Sequence, residues 1–190
     1  ALVSGQLKAR PDHDLNIIRI SRNLDAAEIL NPQKNPLSRS CATRQLGEHC
    51  GGSKSITLLG VSDSNPLEEF EYLAGSFVRS AQQLSTSLSG LTEQILKGLP
   101  DKNVSFYLSV DIDVLALPSI RSNSAYTGTG LTPKQLNALI LELGKLPIIG
   151  ADVTGYIPDL DISGSAASVT VAEIVKSVIE TMSQESALCR

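Results

Sequence analysis

Two aspartates stand one residue apart in the stretch SVDIDV, directly after an apolar run. Asp111 and Asp113 would point to the same side of an extended chain, because side chains alternate along a β-strand. Two neighbouring carboxylates repel each other unless a cation or a proton lies between them. The pair therefore predicts an oxygen-rich site of the kind that suits Mn²⁺ or Mg²⁺. The alternative is a pair of strand-end residues that accept hydrogen bonds from loop amides.

Other side chains of metal-ligating type lie in less favourable surroundings. Asp12, His13 and Asp14 belong to the stretch PDHD, but they precede an apolar run and so lie at the opposite end of that strand. His49 and Cys50 are adjacent, which is not the ligand spacing of a zinc site. The sequence favours neither group as a metal site.

Four apolar runs predict the strands that carry the carboxylates. They span residues 15–21, 55–61, 104–110 and 146–153, and each is apolar on both faces or nearly so. Such runs are typical of a parallel sheet covered by helices on both sides. Ligands of these sheets bind beyond the carboxyl ends of the strands. Asp111 and Asp113 lie there, and Asp152 lies near the end of the next strand, where we interpret it as a structural residue.

One helix start is especially clear. Thr132 is predicted as the N-cap, with Pro133 in the first turn and Gln135 completing a capping box, and Gly144 ends the helix. Its apolar stripe consists of Leu136, Leu139, Ile140 and Leu143.

The remaining segments are assigned from pattern alone. Residues 67–99 predict two helices divided near Gly75 or Gly90, and residues 31–53 predict a long loop. Residues 165–182 predict a last helix, with its buried face formed by Val171, Ile174, Val175, Val178 and Met182.

The composition excludes several classes of protein. The 190 residues are 42% hydrophobic and 19% charged, as in a globular domain. A net charge of −4 gives no basic surface for nucleic acid, and no apolar run is long enough to span a membrane. The three cysteines form no CxxC pair and suit a reducing compartment, the cytoplasm or an organelle lumen such as the mitochondrial matrix.

The C-terminal half of the chain resembles the ureohydrolase superfamily, which comprises arginase, agmatinase and formiminoglutamase. Residues 109–117 (SVDIDVLAL) are similar to the family motif S-x-D-x-D-x-x-D-P, and residues 130–132 supply its Gly-Leu-Thr helix start. Residues 150–158 (GADVTGYIP) are similar to the family's G-x-D-v-x-E-x-x-P strand. Two earlier segments, SRSCATRQL and SITLLGVSDSNPLEEFEYL, resemble the formiminoglutamase-like branch more weakly.

This resemblance implies a fold and a chemistry. The fold is a three-layer αβα arrangement with a mainly parallel, arginase-like sheet, in one domain over residues 1–190. Because the family's GGDHS motif would fall upstream of Ala1, we expect only the C-terminal part of that fold. The chemistry is a hydroxide made by two Mn²⁺ ions, which attacks a guanidinium or amidine carbon. Its ligands come from GGDHS, from a DAHxD strand and from the two aspartates of S-x-D-x-D.

The ligand set that the resemblance implies is incomplete. Asp111 and Asp113 match, but on the strand expected to carry DAHxD the best register assigns Ile17, Arg19 and Ser21 to the ligand positions. An arginine there would put a fixed cation where a metal binds, because guanidinium does not deprotonate in proteins.

Two further positions also differ from the family pattern. Ala116 replaces the third aspartate of the S-x-D-x-D-x-x-D-P motif. Gly155 replaces the glutamate that pairs with the cationic substrate.

These differences predict a pseudoenzyme. In this hypothesis the domain binds no Mn²⁺, or binds it weakly, and acts as a regulatory or structural subunit of a homo-oligomer or of a hetero-oligomer with a related chain. Half of a doubly covered sheet would also leave an apolar edge for a partner, unless the N-terminal segment covers it. The alternative is an active hydrolase of linear amidines with two Mn²⁺ ions, whose missing ligands come from outside this chain.

Overall fold

The computed structural model describes residues 14–29, 38–99, 104–116, 130–161 and 166–188. Its centre is a five-stranded sheet with the strand order β3-β2-β1-β4-β5. All neighbouring strands run parallel, so their carboxyl ends meet at one edge of the sheet. The strands are β1 (Asp14–Ile20), β2 (Ile56–Val61), β3 (Phe77–Ser80), β4 (Val104–Asp111) and β5 (Ile148–Thr154).

Helices cover both faces of this sheet, which confirms the predicted three-layer αβα architecture. Helices α3 to α6 pack on one face, around Phe106, Leu108 and Ile140, and α1 and α2 pack on the other, around Ile17 and Leu58. Every residue of β2 and β4 is buried, which explains why these strands are apolar on both faces. The helices are α1 (Ala42–His49), α2 (Leu67–Tyr72), α3 (Ala81–Thr86), α4 (Leu91–Lys97), α5 (Pro133–Leu143) and α6 (Ala166–Leu188).

The segment 31–53, predicted as a long loop, contains helix α1 in its described part. The segment 67–99 differs from the prediction of two helices. It contains three short helices and the strand β3, which pairs with β2. Four residues are too few to give a periodic signal, and pairing with a neighbour decides their conformation. The last helix also differs in one detail, because Val175 is 37% exposed while Ile174 and Val178 are buried.

The predicted start of α5 is confirmed and fixes the chain near the two aspartates. Thr132 Oγ1 accepts from the Gln135 amide at 3.2 Å, and Gln135 Oε1 accepts from the Thr132 amide at 2.9 Å. One residue earlier, Leu131 pairs with Leu115. Gly130 lies so close to this pair that a Cβ there would be 2.5 Å from the Val114 carbonyl oxygen. The helix cap therefore holds the loop that follows Asp113.

Two further features complete the fold. None of the described helices is both long and apolar enough to cross a membrane. Strand β5 pairs with β4 on one side, and no described strand pairs with its other side.

Replacing Thr132 with alanine removes the N-cap hydroxyl of α5. We expect a loss of about 1 kcal/mol in the free energy of unfolding, because the Gln135 amide loses its capping acceptor, Thr132 Oγ1. Urea denaturation measures this loss, with Lys134→Ala in the exposed first turn as the matched control. Equal stability of the two variants would contradict this role for Thr132.

Candidate functional site

The two aspartates lie at the carboxyl end of β4. Asp111 is the last residue of the strand, and Asp113 lies in the single three-ten turn that follows, Ile112–Val114. Asp111 Oδ1 accepts from the Asp113 amide at 3.0 Å, which closes this turn. Only 8% of Asp111 and 7% of Asp113 is exposed. Both carboxylates are therefore held inside the protein, where charge needs compensation.

Three donors from the end of β1 surround the Asp113 carboxylate. Ser21 Oγ lies 3.3 Å from Oδ1, the Arg22 amide donates to Oδ1 at 3.0 Å, and Asn23 Nδ2 donates to Oδ2 at 2.7 Å. Ser21 is fully buried. The Asp113 carboxylate is thus held by donors of the protein itself, all from residues 21–23.

An arginine supplies the positive charge beside Asp111. Nη2 of Arg19 forms a short ion pair with Asp25 and lies 3.9 Å from Asp111 Oδ2. The three side chains are 9%, 10% and 11% exposed, respectively. Asp25 has a φ of 48°, in the left-handed region that a non-glycine residue seldom adopts. This bend after β1 turns the chain so that the Asp25 carboxylate meets the guanidinium.

The residues that meet the carboxylates differ partly from the predicted set of Ile17, Arg19 and Ser21. Arg19 and Ser21 do reach them. Ile17 does not, because it pairs with Ile56 and Tyr107 in the middle of the sheet and is fully buried among apolar side chains. The additional contacts come from Asn23 and Asp25, which lie beyond the end of the strand.

Asn23 and Asp25 could have been found from the spacing of the family's DAHxD motif. Ser21, Asn23 and Asp25 have the D-x-H-x-D spacing, shifted by four residues from the predicted register. Strand alternation alone hides this signal, because Asn23 and Asp25 lie in the loop and in the left-handed bend.

Burial controls the protonation of this cluster. Burial and the nearby Asp111 carboxylate raise the pKa of Asp113 to about 6, against the opposing effects of the Arg22 amide and the Arg19 guanidinium. Burial also raises the pKa of Asp25, and it outweighs the lowering by Arg19 and, secondarily, by Arg39. The guanidinium of Arg19, the one in contact with these carboxylates among the described residues, thus compensates only part of their charge.

The backbone at Gly155 lies against Asp111. Gly155 has a φ of 87°, and a Cβ at this position would be 2.1 Å from Asp111 Oδ1. Any side chain at residue 155 would therefore displace the Asp111 carboxylate or the backbone of the loop after β5. Residue 155, the position at which the family resemblance implies a substrate-binding glutamate, thus has no side chain and packs its backbone against Asp111.

Asp152 lies on β5 and contacts β4, whereas the cluster described above lies at the ends of β1 and β4. The two carboxylate oxygens of Asp152 accept from Tyr107 Oη at 2.9 Å and from Ser109 Oγ at 2.8 Å. Burial and the Asp152 carboxylate raise the pKa of Tyr107. Asp152 thus links β4 to β5, two register pairs before Asp111.

A cavity of about 730 Å³ lies next to the cluster. Its walls include Arg22 and Ala116, together with the hydroxyl-bearing residues Ser62, Ser64, Ser80 and Ser85. The Ala116 amide donates to the Leu131 carbonyl at 2.8 Å, so this residue takes part in the pairing before α5. None of the carboxylates of the cluster lines this cavity.

The other side chains of ligating type lie apart. Asp14 begins β1 and pairs with Val104, at the end of the sheet opposite to Asp111. Asp12 and His13 lie outside the described residues. His49 is exposed and Cys50 is a free, half-buried thiol whose pKa is raised by burial to about 11. Within the part of the chain that the structure describes, no three His, Cys, Asp or Glu side chains are arranged to hold a metal ion.

Replacing Asp113 with asparagine removes a titrating group from the cluster. Because the pKa of Asp113 is raised from 3.8 to about 6 on folding, the folded state binds the proton more tightly than the unfolded state does. The stability contributed by this group is therefore greatest near pH 4 and is lost as the pH rises to about 6, by roughly 1–3 kcal/mol.

Urea denaturation between pH 4 and pH 7 tests this sign. We expect the Asp113→Asn variant to lack this decrease, and we expect the exposed-site control Asp159→Asn to keep it. Parallel stability profiles for wild type and Asp113→Asn would show that Asp113 titrates normally.

Solved structures from several organisms are similar to this fold. Formimidoylglutamase from Bacillus subtilis subsp. subtilis str. 168 matches with a TM-score of 0.79 at 18% identity, over 95% of this chain and 58% of its own. A hypothetical agmatinase from Burkholderia thailandensis matches with a TM-score of 0.80 at 20% identity, over 98% of this chain and 56% of its own. Trypanosoma cruzi formiminoglutamase with Mn²⁺₂ matches with a TM-score of 0.76 at 17% identity, over 95% of this chain and 61% of its own. The chain thus spans less than two thirds of each of these proteins.

The sequence comparisons agree with the fold. No curated protein matches the chain. The family model described as "Arginase family" matches residues 4–180, which is most of the chain. The motifs around Asp111 and Gly155 and the parallel αβα fold are thus accounted for together: the chain belongs to the arginase family.

Proposed function

We propose that this chain is an arginase-family domain that works without a dimanganese centre, as a regulatory or structural subunit. The observation that carries the proposal is the Arg19 guanidinium, which lies between the Asp25 and Asp111 carboxylates. A guanidinium keeps its charge at every physiological pH and cannot donate a lone pair. Two Mn²⁺ ions at these carboxylates would face a permanent positive charge at short range.

The donors around Asp113 also disfavour two metal ions. Its oxygens already accept from Ser21, Arg22 and Asn23. A neutral hydroxyl and an amide are weaker partners for Mn²⁺ than the carboxylate and imidazole that the family motif would supply at these positions. The donor set of the described residues therefore does not fit a pair of Mn²⁺ ions.

Substrate recognition is altered at the same edge of the sheet. The glutamate of the family motif would give a charge-assisted hydrogen bond to a planar cation. At Gly155 a side chain would collide with Asp111, so the present packing leaves no room for that carboxylate. The absence of this group supports a role that does not depend on amidine hydrolysis.

Metal content and turnover, measured on the same purified sample, test this function. After dialysis against Mn²⁺, we expect well below one Mn²⁺ per chain by elemental analysis. We also expect no release of urea from arginine or agmatine and no release of formamide from formiminoglutamate. Asp111→Asn is the matched control, and its metal content should equal that of wild type. Nearly two Mn²⁺ per chain together with urea or formamide release would refute the proposal.

The second candidate is an active Mn²⁺-dependent hydrolase of linear amidines. It is favoured by the convergence of three buried carboxylates, Asp25, Asp111 and Asp113, at the carboxyl edge of the sheet. It requires ligands from outside this chain, and the chain spans only 56–61% of the solved structures described above. The measurement above separates the two candidates, since only the hydrolase releases urea or formamide.

A subunit role needs a surface for a partner, and β5 offers one. Its outer side has no described strand partner, and Ile149, Ala151 and Val153 are half-buried. An apolar parallel strand without a neighbour is a template for a further strand. We propose that residues 1–190 belong to a single domain, and that a second copy or a related chain packs against this side of β5.

The mass in solution tests this assembly. We expect light scattering after gel filtration to give a mass well above the 20.2 kDa of one chain. The same mass should persist at high salt, because pairing through backbone hydrogen bonds and apolar side chains is not screened by ions. A stable monomer of one chain mass over a wide concentration range would contradict the partner proposal.

A further inference from the structure

We propose that the Arg19 guanidinium is a built-in substitute for a bound divalent cation, and that removing it converts the cluster of Asp25, Asp111 and Asp113 into a divalent-cation site. This inference rests on the proposed function in one respect, which is that the wild-type cluster holds no metal ion. It adds that the cluster still depends on a cation, now supplied by the chain itself.

Charge is buried at this cluster. Arg19, Asp25 and Asp111 have side chains that are 9%, 10% and 11% exposed. Buried carboxylates are costly unless a cation pairs with them, and removal of one partner from a buried pair is strongly destabilising. Within the described residues, the cation in contact with Asp25 and Asp111 is Arg19. The fold thus requires a positive charge at this point.

Arg19 is held by its charge. Its Nη2 lies close to carboxylates from two different elements, the loop after β1 and the end of β4. Its Nε is buried and has no hydrogen-bond partner among the described residues. A guanidinium placed for its geometry would use its planar set of donors. Arg19 instead leaves a buried donor unused, which indicates that its charge is what the cluster needs.

Removing the guanidinium would leave two buried carboxylates facing the vacated space, those of Asp25 and Asp111. The Asp113 carboxylate belongs to the adjoining turn, whose amide donates to Asp111 Oδ1, so a change of side-chain rotamer could bring it to the same ion. These are oxygen ligands, which hard divalent cations such as Ca²⁺ and Mn²⁺ prefer. The left-handed bend at Asp25 holds its carboxylate toward this space. A single divalent ion would then compensate more charge than the guanidinium does.

Thermal unfolding of Arg19→Ala in EDTA and in millimolar Mn²⁺ tests the inference. In EDTA we expect the Tm to fall by roughly 10 °C relative to wild type, because a buried ion pair has lost its cation. In Mn²⁺ we expect about half of this loss or more to be regained, because an ion that binds only the folded state stabilises it. The wild type should show no shift with Mn²⁺.

Matched variants separate a specific site from general ionic effects. Arg79→Ala removes a guanidinium that packs on Phe77 on another strand, so it should show no response to Mn²⁺. Arg19→Lys retains a cation and should also be unresponsive. Adding Asp25→Asn to Arg19→Ala should abolish the Mn²⁺ response. If Arg19→Ala is unfolded in both buffers, the neutral and longer Arg19→Gln replaces it, with the same expected gain.

Two results would overturn the inference. One is an Arg19→Ala or Arg19→Gln protein that is as stable in EDTA as wild type. The other is a protein that gains no more from Mn²⁺ than Arg79→Ala does. If the Tm of the wild type does not change with Mn²⁺, either result leaves the proposed function intact. Two Mn²⁺ ions bound to the wild type would instead refute the proposed function itself.

Discussion

Three carboxylates buried around one guanidinium are the constraint on which this end of the protein depends. Asp25, Asp111 and Asp113 would repel one another in an interior of low polarity without a cation among them. Arg19 meets that requirement from within β1, and the donors of residues 21–23 complete the contacts of Asp113. Charge compensation and backbone geometry are therefore coupled at the carboxyl edge of the sheet.

The rest of the fold keeps these groups in place. Parallel pairing of β1 with β4 in the register Ile20 to Val110 aligns the two strand ends from which the cluster is built. On one side, the close approach of Gly155 fixes the backbone against Asp111. On the other, the Thr132 cap and the pairing of Leu131 with Leu115 hold the loop after Asp113. Both supports require glycine. A Cβ at residue 130 would lie 2.5 Å from the Val114 carbonyl oxygen, and a Cβ at residue 155 would lie 2.1 Å from Asp111 Oδ1.

Most of the sheet could be predicted from sequence because its strands are long and apolar on both faces. The cap at Thr132 could be predicted because its hydrogen bonds are local. Strand β3 could not, since four residues carry no period and their pairing with β2 is a long-range interaction. At the site, Asp111 and Asp113 could be predicted from their spacing after an apolar run, although Asp113 lies in the three-ten turn and not in the strand. Asn23 and Asp25 do not follow from strand alternation, because they lie past the end of β1, and the bend at Asp25 is visible only in three dimensions.

The family relationship and the altered cluster agree with each other. The fold is similar to those of formimidoylglutamase and agmatinase, and the positive charge beside its buried carboxylates comes from the Arg19 side chain. The most direct test of this account is a high-resolution crystal structure from crystals soaked in Mn²⁺, with anomalous data collected at the manganese edge. The account predicts guanidinium density between Asp25 and Asp111 and no anomalous peak beside Asp111 or Asp113. Anomalous peaks at those carboxylates, with Arg19 displaced, would contradict it.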